Sequence, residues 1–423
     1  WMVVAVPILL TVPVASAQDA ASDATRAAQA ELAKRLPLDD SRDFENASRG
    51  KIAEIADGLI LGKDGRIVWD RRAYAFLNAA RAPDTVNPSL WRQARLNAVH
   101  GLFEVVPDKI WQIRGYDISV MTIIRGETGW IIVDPLLSEE TAAAGWKLFA
   151  DTIEANSGKR PIRAVIFSHS HSDHFGGVGG IVTPEQVARE KIRIIAPHGF
   201  SEEATAENVL AGGAMGRRAL YMFGAILAPG EKGQVDTGLG PKLSSGTIGY
   251  MEPTETVPPE GAALTIDGLA FDFLDAGGTE APSEFVFYVP AYKTLHTTEV
   301  VTHNLHNILT LRGAQVRDAL RWSKVIDAML LKWGGTGGDG VASLADLGRG
   351  RGGKPVDASA RRLSLCPRPH PVSCQPRRHA ARACRSDRRG ARARRRLLHP
   401  RLLWHAQSRH EGDLSALFRL VGW

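Results

Sequence analysis

Three histidines and one aspartate lie within six residues of this chain, directly after an apolar run at 162–168 that is typical of a β-strand. The four residues are His169, His171, Asp173 and His174. Such a set is costly to bury unless a divalent metal holds the imidazoles as neutral donors and the carboxylate as an anion. A solvated histidine-rich loop is the alternative, but such loops do not usually combine a strand end, an aspartate and a following glycine pair, here 176–177. The cluster therefore predicts a metal site at the end of a strand.

The spacing within the cluster also predicts how its members divide between ions. His169 and His171 are two residues apart and would face one way, whereas Asp173 and His174 can turn toward a second ion. Two-metal hydrolases hold their ions about 3.5–4 Å apart, which one strand-end loop can span.

The rest of the chain predicts a mixed fold. Short β-branched and aromatic runs, broken by glycines, predict strands at 110–115, 117–126, 129–135, 162–168, 192–196, 271–274 and 285–290. Helices are predicted at 20–36 and 139–155, a turn, a strand and an amphipathic helix at 64–80, and a Gly/Pro-rich loop at 228–263. Strands that alternate with helices, some in antiparallel runs, predict an α/β sandwich with buried sheets.

Charge divides the chain into two chemically different parts. Residues 345–423 carry eighteen arginines and one lysine against five acidic residues, whereas the preceding residues are net negative. All three cysteines, Cys366, Cys374 and Cys384, lie in the basic part. A metal bound before residue 345 must therefore be held by His, Asp or Glu.

The histidine cluster matches the HxHxDH signature of the metallo-β-lactamase superfamily. Several further motifs, in order, make the sequence similar to the linear alkylsulfatases, which degrade detergents such as dodecyl sulfate. These motifs are 115–117, 129–136, 207–209, 277–282 and 306–313. The likeness covers roughly residues 40–343. It implies an α/β fold, the αββα sandwich of the superfamily, followed by an incomplete, disordered C-terminal region.

The resemblance implies a dinuclear site with two zinc ions. By this likeness His169, His171 and Glu280 would hold one ion, Asp173 and His174 the other, and Glu299 would bridge them. Either glutamate taken alone would be interpreted as a solvated surface acid. Nearby Glu284, His296 and His303 are reserve donors to which no role is assigned.

The resemblance also implies residues that would bind the sulfate group. Arg312 is the candidate, because a planar guanidinium donates two parallel hydrogen bonds to an oxyanion, and Asn307 is a neutral second donor. Outside this context Arg312 would be interpreted as a surface cation. The implied reaction is metal-assisted hydrolysis of a small-molecule alkyl sulfate to an alcohol and inorganic sulfate. The sequence leaves open whether attack is at sulfur or at the ester carbon, and which chain length is preferred.

Two other functions compete with this interpretation. The chain could be another hydrolase of the same fold that acts on thioesters, lactams or phosphodiesters. It could instead be an inactive product whose arginine-rich tail binds polyanions without specificity. Glu280, Glu299 and Arg312 favour the sulfatase, for which no specific nucleic-acid partner is expected.

The N-terminus predicts export. Residues 2–14 are apolar but too short to span a bilayer, and 15–17 form a small-residue cleavage pattern, so 1–17 are predicted to be a signal peptide. An apolar N-terminal helix is the alternative. A periplasmic or secreted protein without a membrane span is expected. The predicted domains are an N-terminal extension at 18–63 and a catalytic domain at 64–343.

The Arg/Pro-rich segment 344–423 predicts a shifted reading frame. Codons chosen to encode 344–353 and 397–423 can both be read in one other frame as sequence that resembles the family's continuation. The family is homodimeric, and the frame shift would scramble the dimerisation region and replace a metal-ligand histidine by Leu344. The alternative is a genuine basic tail. Because the frame shift would remove a metal ligand and the dimerisation region, low activity is expected for the chain as it stands.

Overall fold

A computed structural model describes residues 20–302 and 306–334 and the backbone of 342–343. The predicted signal peptide, the segment 344–423 with Leu344, and His303 lie outside these residues and stay predictions.

Most of the predicted elements are present, with small shifts at their ends. The strands are β1 (Lys51–Ala53), β2 (Leu59–Leu61), β3 (Ile67–Asp70), β4 (Gly101–Val106), β5 (Ile110–Arg114), β6 (Met121–Arg125), β7 (Trp130–Val133), β8 (Ile162–Ile166), β9 (Arg193–Pro197), β10 (Glu255–Val257), β11 (Ala263–Ile266), β12 (Leu269–Asp275), β13 (Phe285–Val289), β14 (Thr294–His296) and β15 (Ala342–Ser343). The α-helices are α1 (Asp23–Arg35), α2 (Arg42–Ser48), α3 (Pro88–Asn97), α4 (Glu139–Phe149), α5 (Ala155–Ser157), α6 (Pro184–Glu190), α7 (Phe200–Thr205), α8 (Gly212–Met222) and α9 (Ala319–Trp333).

Six segments with other helical geometry accompany the α-helices of the described residues. Four have 3₁₀ geometry: Arg71–Asn78, Ser172–His174, Val178–Gly180 and Pro290–Tyr292. Two have π geometry, Ala150–Glu154 and Ala206–Leu210. The amphipathic helix expected within 64–80 is thus the 3₁₀ helix Arg71–Asn78, which is kinked at Tyr74.

The larger sheet has eight strands in the order β1-β4-β5-β6-β7-β8-β9-β10. From β4 to β7 the neighbours are antiparallel, and from β7 to β10 they are parallel. Helix α4 connects β7 to β8 and α6 connects β8 to β9, since parallel neighbours need a crossover. Ser138 caps α4, and Thr183 and Gln186 form a capping box at the start of α6, where Pro184 is the first helical residue.

The second sheet has five strands in the order β11-β12-β13-β14-β15, antiparallel except for the last pair. One hydrophobic core fills the space between the two sheets, with Ile131 and Ile166 of the larger sheet packed against phenylalanines such as Phe273 of the smaller one. A second core packs the outer face of the larger sheet against α4, α6 and α7. A third packs the outer face of β13 against α9. Helices cover both outer faces, and the predicted αββα sandwich is confirmed.

Two strands lie before residue 64, where the catalytic domain is predicted to begin. β1 pairs with β4 in the larger sheet, and β2 pairs with β3. β1 therefore belongs to the larger sheet of the sandwich, whereas β2 and β3 form a separate two-stranded sheet. In the described part of the chain, no helix combines the length and the apolar character needed to cross a bilayer.

Candidate metal centre

The loop after β8 carries the histidine cluster and is anchored to the end of the neighbouring strand. Asp134 follows β7 in a left-handed conformation, with φ at 54°. Its carboxylate accepts hydrogen bonds from the backbone N–H of Ser168 at 2.8 Å and from the Ser168 hydroxyl at 2.6 Å. Because β7 and β8 are parallel, their carboxyl ends meet at one edge of the sheet, and the loop begins there.

The first group of potential ligands contains residues from loops of both sheets. It consists of His169, His171, Glu280 and Glu299, whose ligand atoms all lie within 4.8 Å of one another. His171 Nδ1 lies 3.1 Å from His169 Nε2 and 2.8 Å from a Glu280 carboxylate oxygen. Glu280 lies on the β12–β13 loop and Glu299 follows β14, so the smaller sheet supplies both carboxylates.

The second group consists of Asp173, His174 and Glu299. His174 Nε2 lies 3.4 Å from Asp173 and 3.8 Å from Glu299. Glu299 belongs to both groups, which is the arrangement that a bridging carboxylate requires. The structure thus brings the six residues of the predicted ligand set together in one cluster.

The donor set fits divalent metal ions. His174 Nε2 is buried, makes no hydrogen bond within the described residues and faces Asp173 and Glu299, and Glu280 Oε2 is buried against His171 Nδ1. Burial and the charge of Glu280 raise the pKa of Glu299 to about 8, so the acids repel one another when no cation lies between them. Burial lowers the pKa of His169 well below its usual range, and neighbouring His174 and His171 add to this, which favours the neutral imidazole that a metal binds.

Asp134 also orients two of the histidines, through the ring nitrogens that face away from the other ligands. His174 Nδ1 lies 2.9 Å from Asp134 Oδ2. His169 Nδ1 lies 3.1 Å from the Ser168 hydroxyl, which donates to the same carboxylate. Outer partners of this kind fix the ring orientation of a ligand histidine.

The loop of Glu280 is held by a buried arginine and a buried acid. Arg317 Nε donates to the Glu280 carbonyl at 2.6 Å, and its Nη2 forms an ion pair with the Glu280 side chain. Glu284 accepts hydrogen bonds from the Glu280 N–H at 3.0 Å and from the Thr279 hydroxyl at 2.7 Å. His171 and Arg317 outweigh the effect of burial and lower the pKa of Glu280 to about 2.

Two of the reserve donors, Glu284 and His296, lie outside the two ligand groups. Glu284 packs behind the Glu280 loop, and burial, followed by the charge of Glu280, raises its pKa to about 8. His296 stacks on Phe287 with ring centroids 4.7 Å apart, and burial lowers its pKa to about 4.

Of the two residues predicted to bind sulfate, Arg312 lies beside the ligand groups. Its guanidinium forms an ion pair with Glu207, and its side chain is 18% exposed. Burial lowers the pKa of Arg312, while the nearby charge of Asp173 favours its charged form. Asn307 is exposed, and its side-chain oxygen accepts a hydrogen bond from Arg317.

Four further residues surround the ligand groups, and their roles were not predicted from the sequence: Asp134, Glu207, His306 and Arg317. His306 Nε2 lies 3.5 Å from Glu280 and makes no hydrogen bond among the described residues. The sequence carries a usable signal for three of these four, because Asp134, Glu207 and His306 fall within the quoted motifs. Arg317 lies outside the motifs, and its burial is visible only in the fold.

Comparison with known proteins agrees with this geometry. Residues 114–338 match the family described as the metallo-beta-lactamase superfamily. An alkyl/aryl-sulfatase of Saccharomyces cerevisiae is 48% identical over 73% of this chain and 47% of its own length. A linear primary-alkylsulfatase of a Pseudomonas species is 47% identical over 74% of this chain and 46% of its own length. The chain spans about half the length of these curated relatives, and the predicted resemblance is confirmed.

A solved structure shows the same likeness. The stereoselective inverting sec-alkylsulfatase of a Pseudomonas species superposes with a TM-score of 0.71 at 44% identity, over 75% of this chain and 49% of that one.

Proposed function

The chain belongs to the metallo-beta-lactamase superfamily, and from this premise we propose that it is a zinc-dependent alkylsulfatase that hydrolyses alkyl sulfate esters to an alcohol and inorganic sulfate. The observation that carries the proposal is the pair of ligand groups that share Glu299, with the Arg312 guanidinium beside them. The relatives' names support the substrate class, since they are alkylsulfatases at 44–48% identity.

His169, His171 and Glu280 would hold one ion, Asp173 and His174 the other, and Glu299 would bridge them. When bound, zinc acts as a Lewis acid and makes water a nucleophile near neutral pH. Asp134 contributes by holding His174, and His169 through Ser168, in fixed orientations.

Arg312 would bind the sulfate group of the substrate. Its pair with Glu207 uses Nη1, and a guanidinium has five N–H donors in all, so the same side chain can also bind an oxyanion. Arg317 would hold Asn307 in position to bind the sulfate group, because its guanidinium contacts both Asn307 and Glu280. Arg312 and Arg317 would in this way connect the residues proposed to bind sulfate with the residues proposed to bind metal.

The test is release of inorganic sulfate from dodecyl sulfate by the full chain, with added zinc and with excess chelator. Asp173→Asn removes a ligand carboxylate and should abolish release. The matched control is Asp151→Asn, because Asp151 is 62% exposed and pairs with Lys147 on the surface. We expect zinc-dependent release, at the low rate predicted for the chain as it stands, and the control should retain it.

Three results would contradict the proposal. They are no release at saturating zinc, release that survives complete removal of metal, and faster turnover of a lactam, thioester or phosphodiester than of any alkyl sulfate. The last result would assign the site to another hydrolase of the same superfamily.

A further inference from the structure

Each metal-facing histidine has a second ring nitrogen that points away from the ligand groups. For His174 and His169 this outer nitrogen is held by Asp134, directly or through Ser168. His171 faces the ligands with Nδ1, so its outer nitrogen is Nε2. That nitrogen is approached from a different part of the fold.

Glu207 faces the outer nitrogen of His171. Glu207 Oε2 lies 3.6 Å from His171 Nε2, which is within ion-pair range although longer than a hydrogen bond. Both side chains are largely buried, at 12% and 7% exposure, so water screens their interaction little. A carboxylate opposite the outer N–H is the usual partner of a ligand histidine.

The backbone around Glu207 departs from ordinary helix geometry. Glu207 lies in the π-helical turn Ala206–Leu210, between α7 and α8. π turns are rare and are frequent at functional sites, because the extra residue redirects a side chain. Glu203, one turn earlier, faces Gln315 instead, with 3.0 Å between Gln315 Nε2 and Glu203 Oε2.

The second carboxylate oxygen of Glu207 forms the ion pair with Arg312. One carboxylate therefore contacts a metal ligand on one side and the candidate sulfate-binding cation on the other. Its negative charge favours the N–H of His171 pointing outward, and it confines Arg312 to one of its many rotamers.

We propose that Glu207 is a positioning residue that orients His171 toward the metal and holds Arg312 where it can bind the sulfate group. The part concerning Arg312 rests on the proposed function, whereas the part concerning His171 requires only that the site binds metal. The two parts are tested by separate measurements.

The metal measurement is zinc affinity of the full chain by competition with a chromophoric chelator. Glu207→Gln keeps the shape of the side chain but removes the charge, and zinc should bind about 10–100-fold more weakly. Glu203→Gln is the matched control, since it makes the same change in the same helical run and contacts the same 306–317 loop; its zinc affinity should not change. Unchanged affinity in Glu207→Gln, or an equal loss in Glu203→Gln, overturns the proposal.

The substrate measurement is the KM for dodecyl sulfate and the binding of inorganic sulfate, both at saturating zinc. Glu207→Gln should raise KM and weaken sulfate binding by about tenfold, a larger change than that in kcat, because Arg312 loses its fixed position. Glu207→Asp keeps the charge and should restore part of both losses. If Glu207→Gln does not fold, Glu207→Asp takes its place in the test. Its shorter side chain should then bind zinc more weakly than the unaltered chain does, and unchanged zinc affinity would overturn the proposal.

The outcomes separate the inference from the proposed function. If the unaltered chain releases no sulfate, the proposed function fails, while the zinc measurement still decides the role of Glu207 toward His171. If sulfate is released but KM and sulfate binding are the same in Glu207→Gln, the role of Glu207 toward Arg312 is wrong.

Discussion

Arg317 contacts two segments of the site with a single buried guanidinium. It donates to the carbonyl and carboxylate of Glu280 and to the carbonyl and side chain of Asn307. Only 6% of the residue is exposed. In a buried ion pair each charge offsets the desolvation cost of the other, so removing one partner leaves the remaining charge buried and unpaired. Arg321, four residues on, pairs with Asp275 in a much more exposed position, with the arginine side chain 41% exposed.

Replacing Arg317 by Met should lower the free energy of unfolding by about 3–5 kcal/mol, because the Glu280 charge is left buried without its partner. Arg321→Met should cost at most about 1 kcal/mol, since exposed ion pairs contribute little. Urea unfolding of the metal-free protein measures both values without a contribution from zinc. Equal effects of the two substitutions would show that the burial of Arg317 does not govern its contribution.

At the scale of elements, the loop after β8 is held close to the loop after β7 by glycines. The N–H of Gly177 donates to the Leu136 carbonyl at 2.9 Å. A Cβ atom on Gly177 would lie 2.0 Å from the carbonyl oxygen of Pro135 and 2.8 Å from the Cβ of Ala142. No rotamer relieves a clash with backbone, so a side chain here would push the loop away from α4.

Gly177→Ala should therefore destabilise the fold by about 1–3 kcal/mol and should weaken zinc binding, because His174 is three residues away on the displaced loop. Gly216→Ala is the control: Gly216 lies inside α8 with nothing within 4 Å of the added atom, and this change should stabilise by about 0.5–1 kcal/mol. Thermal unfolding and chelator competition report the two effects. A Gly177→Ala variant that binds zinc normally would show that the loop can move without displacing His174.

Across the whole molecule, the ligand groups lie where the two sheets meet. The histidines and Asp173 lie on the loop after β8 of the larger sheet, whereas Glu280 and Glu299 lie on segments that follow strands β12 and β14 of the smaller sheet. A bound ion would therefore connect the two halves of the sandwich, and it would bind the folded chain only, since the unfolded chain does not hold these residues together.

We expect zinc to raise the unfolding temperature, with a gain of about 2.7 kcal/mol at a free concentration 100 times the dissociation constant, and chelator to reverse it. The Asp173–His174–Glu299 group has three potential ligands among the described residues and the other group has four. After dialysis the chain should accordingly retain about one zinc ion, held by the group with more ligands. Two tightly retained ions would contradict this, and would also argue against the predicted loss of a ligand at Leu344.

The sequence by itself determined the features that depend on near neighbours. The runs of β-branched and aromatic residues in β5 to β8 and the capping residue of α4 are local, and so is the spacing of His169, His171, Asp173 and His174. These four residues are close in the chain and must therefore be close in space. The metal site and the sandwich could be predicted for this reason, and the family likeness added Glu280 and Glu299.

Only the tertiary structure decided which distant charges complete the site. The motif around Glu207 does not show which residues its charge contacts, and Arg317, outside the motifs, does not differ locally from a solvated surface residue. Burial against residues more than thirty positions away gives each its partner, as in the pair of Arg317 with Glu280 and the approach of Glu207 to His171. The interaction of two charges depends on their separation and on how much water lies between them, and both quantities exist only once the two sheets and their loops have packed together.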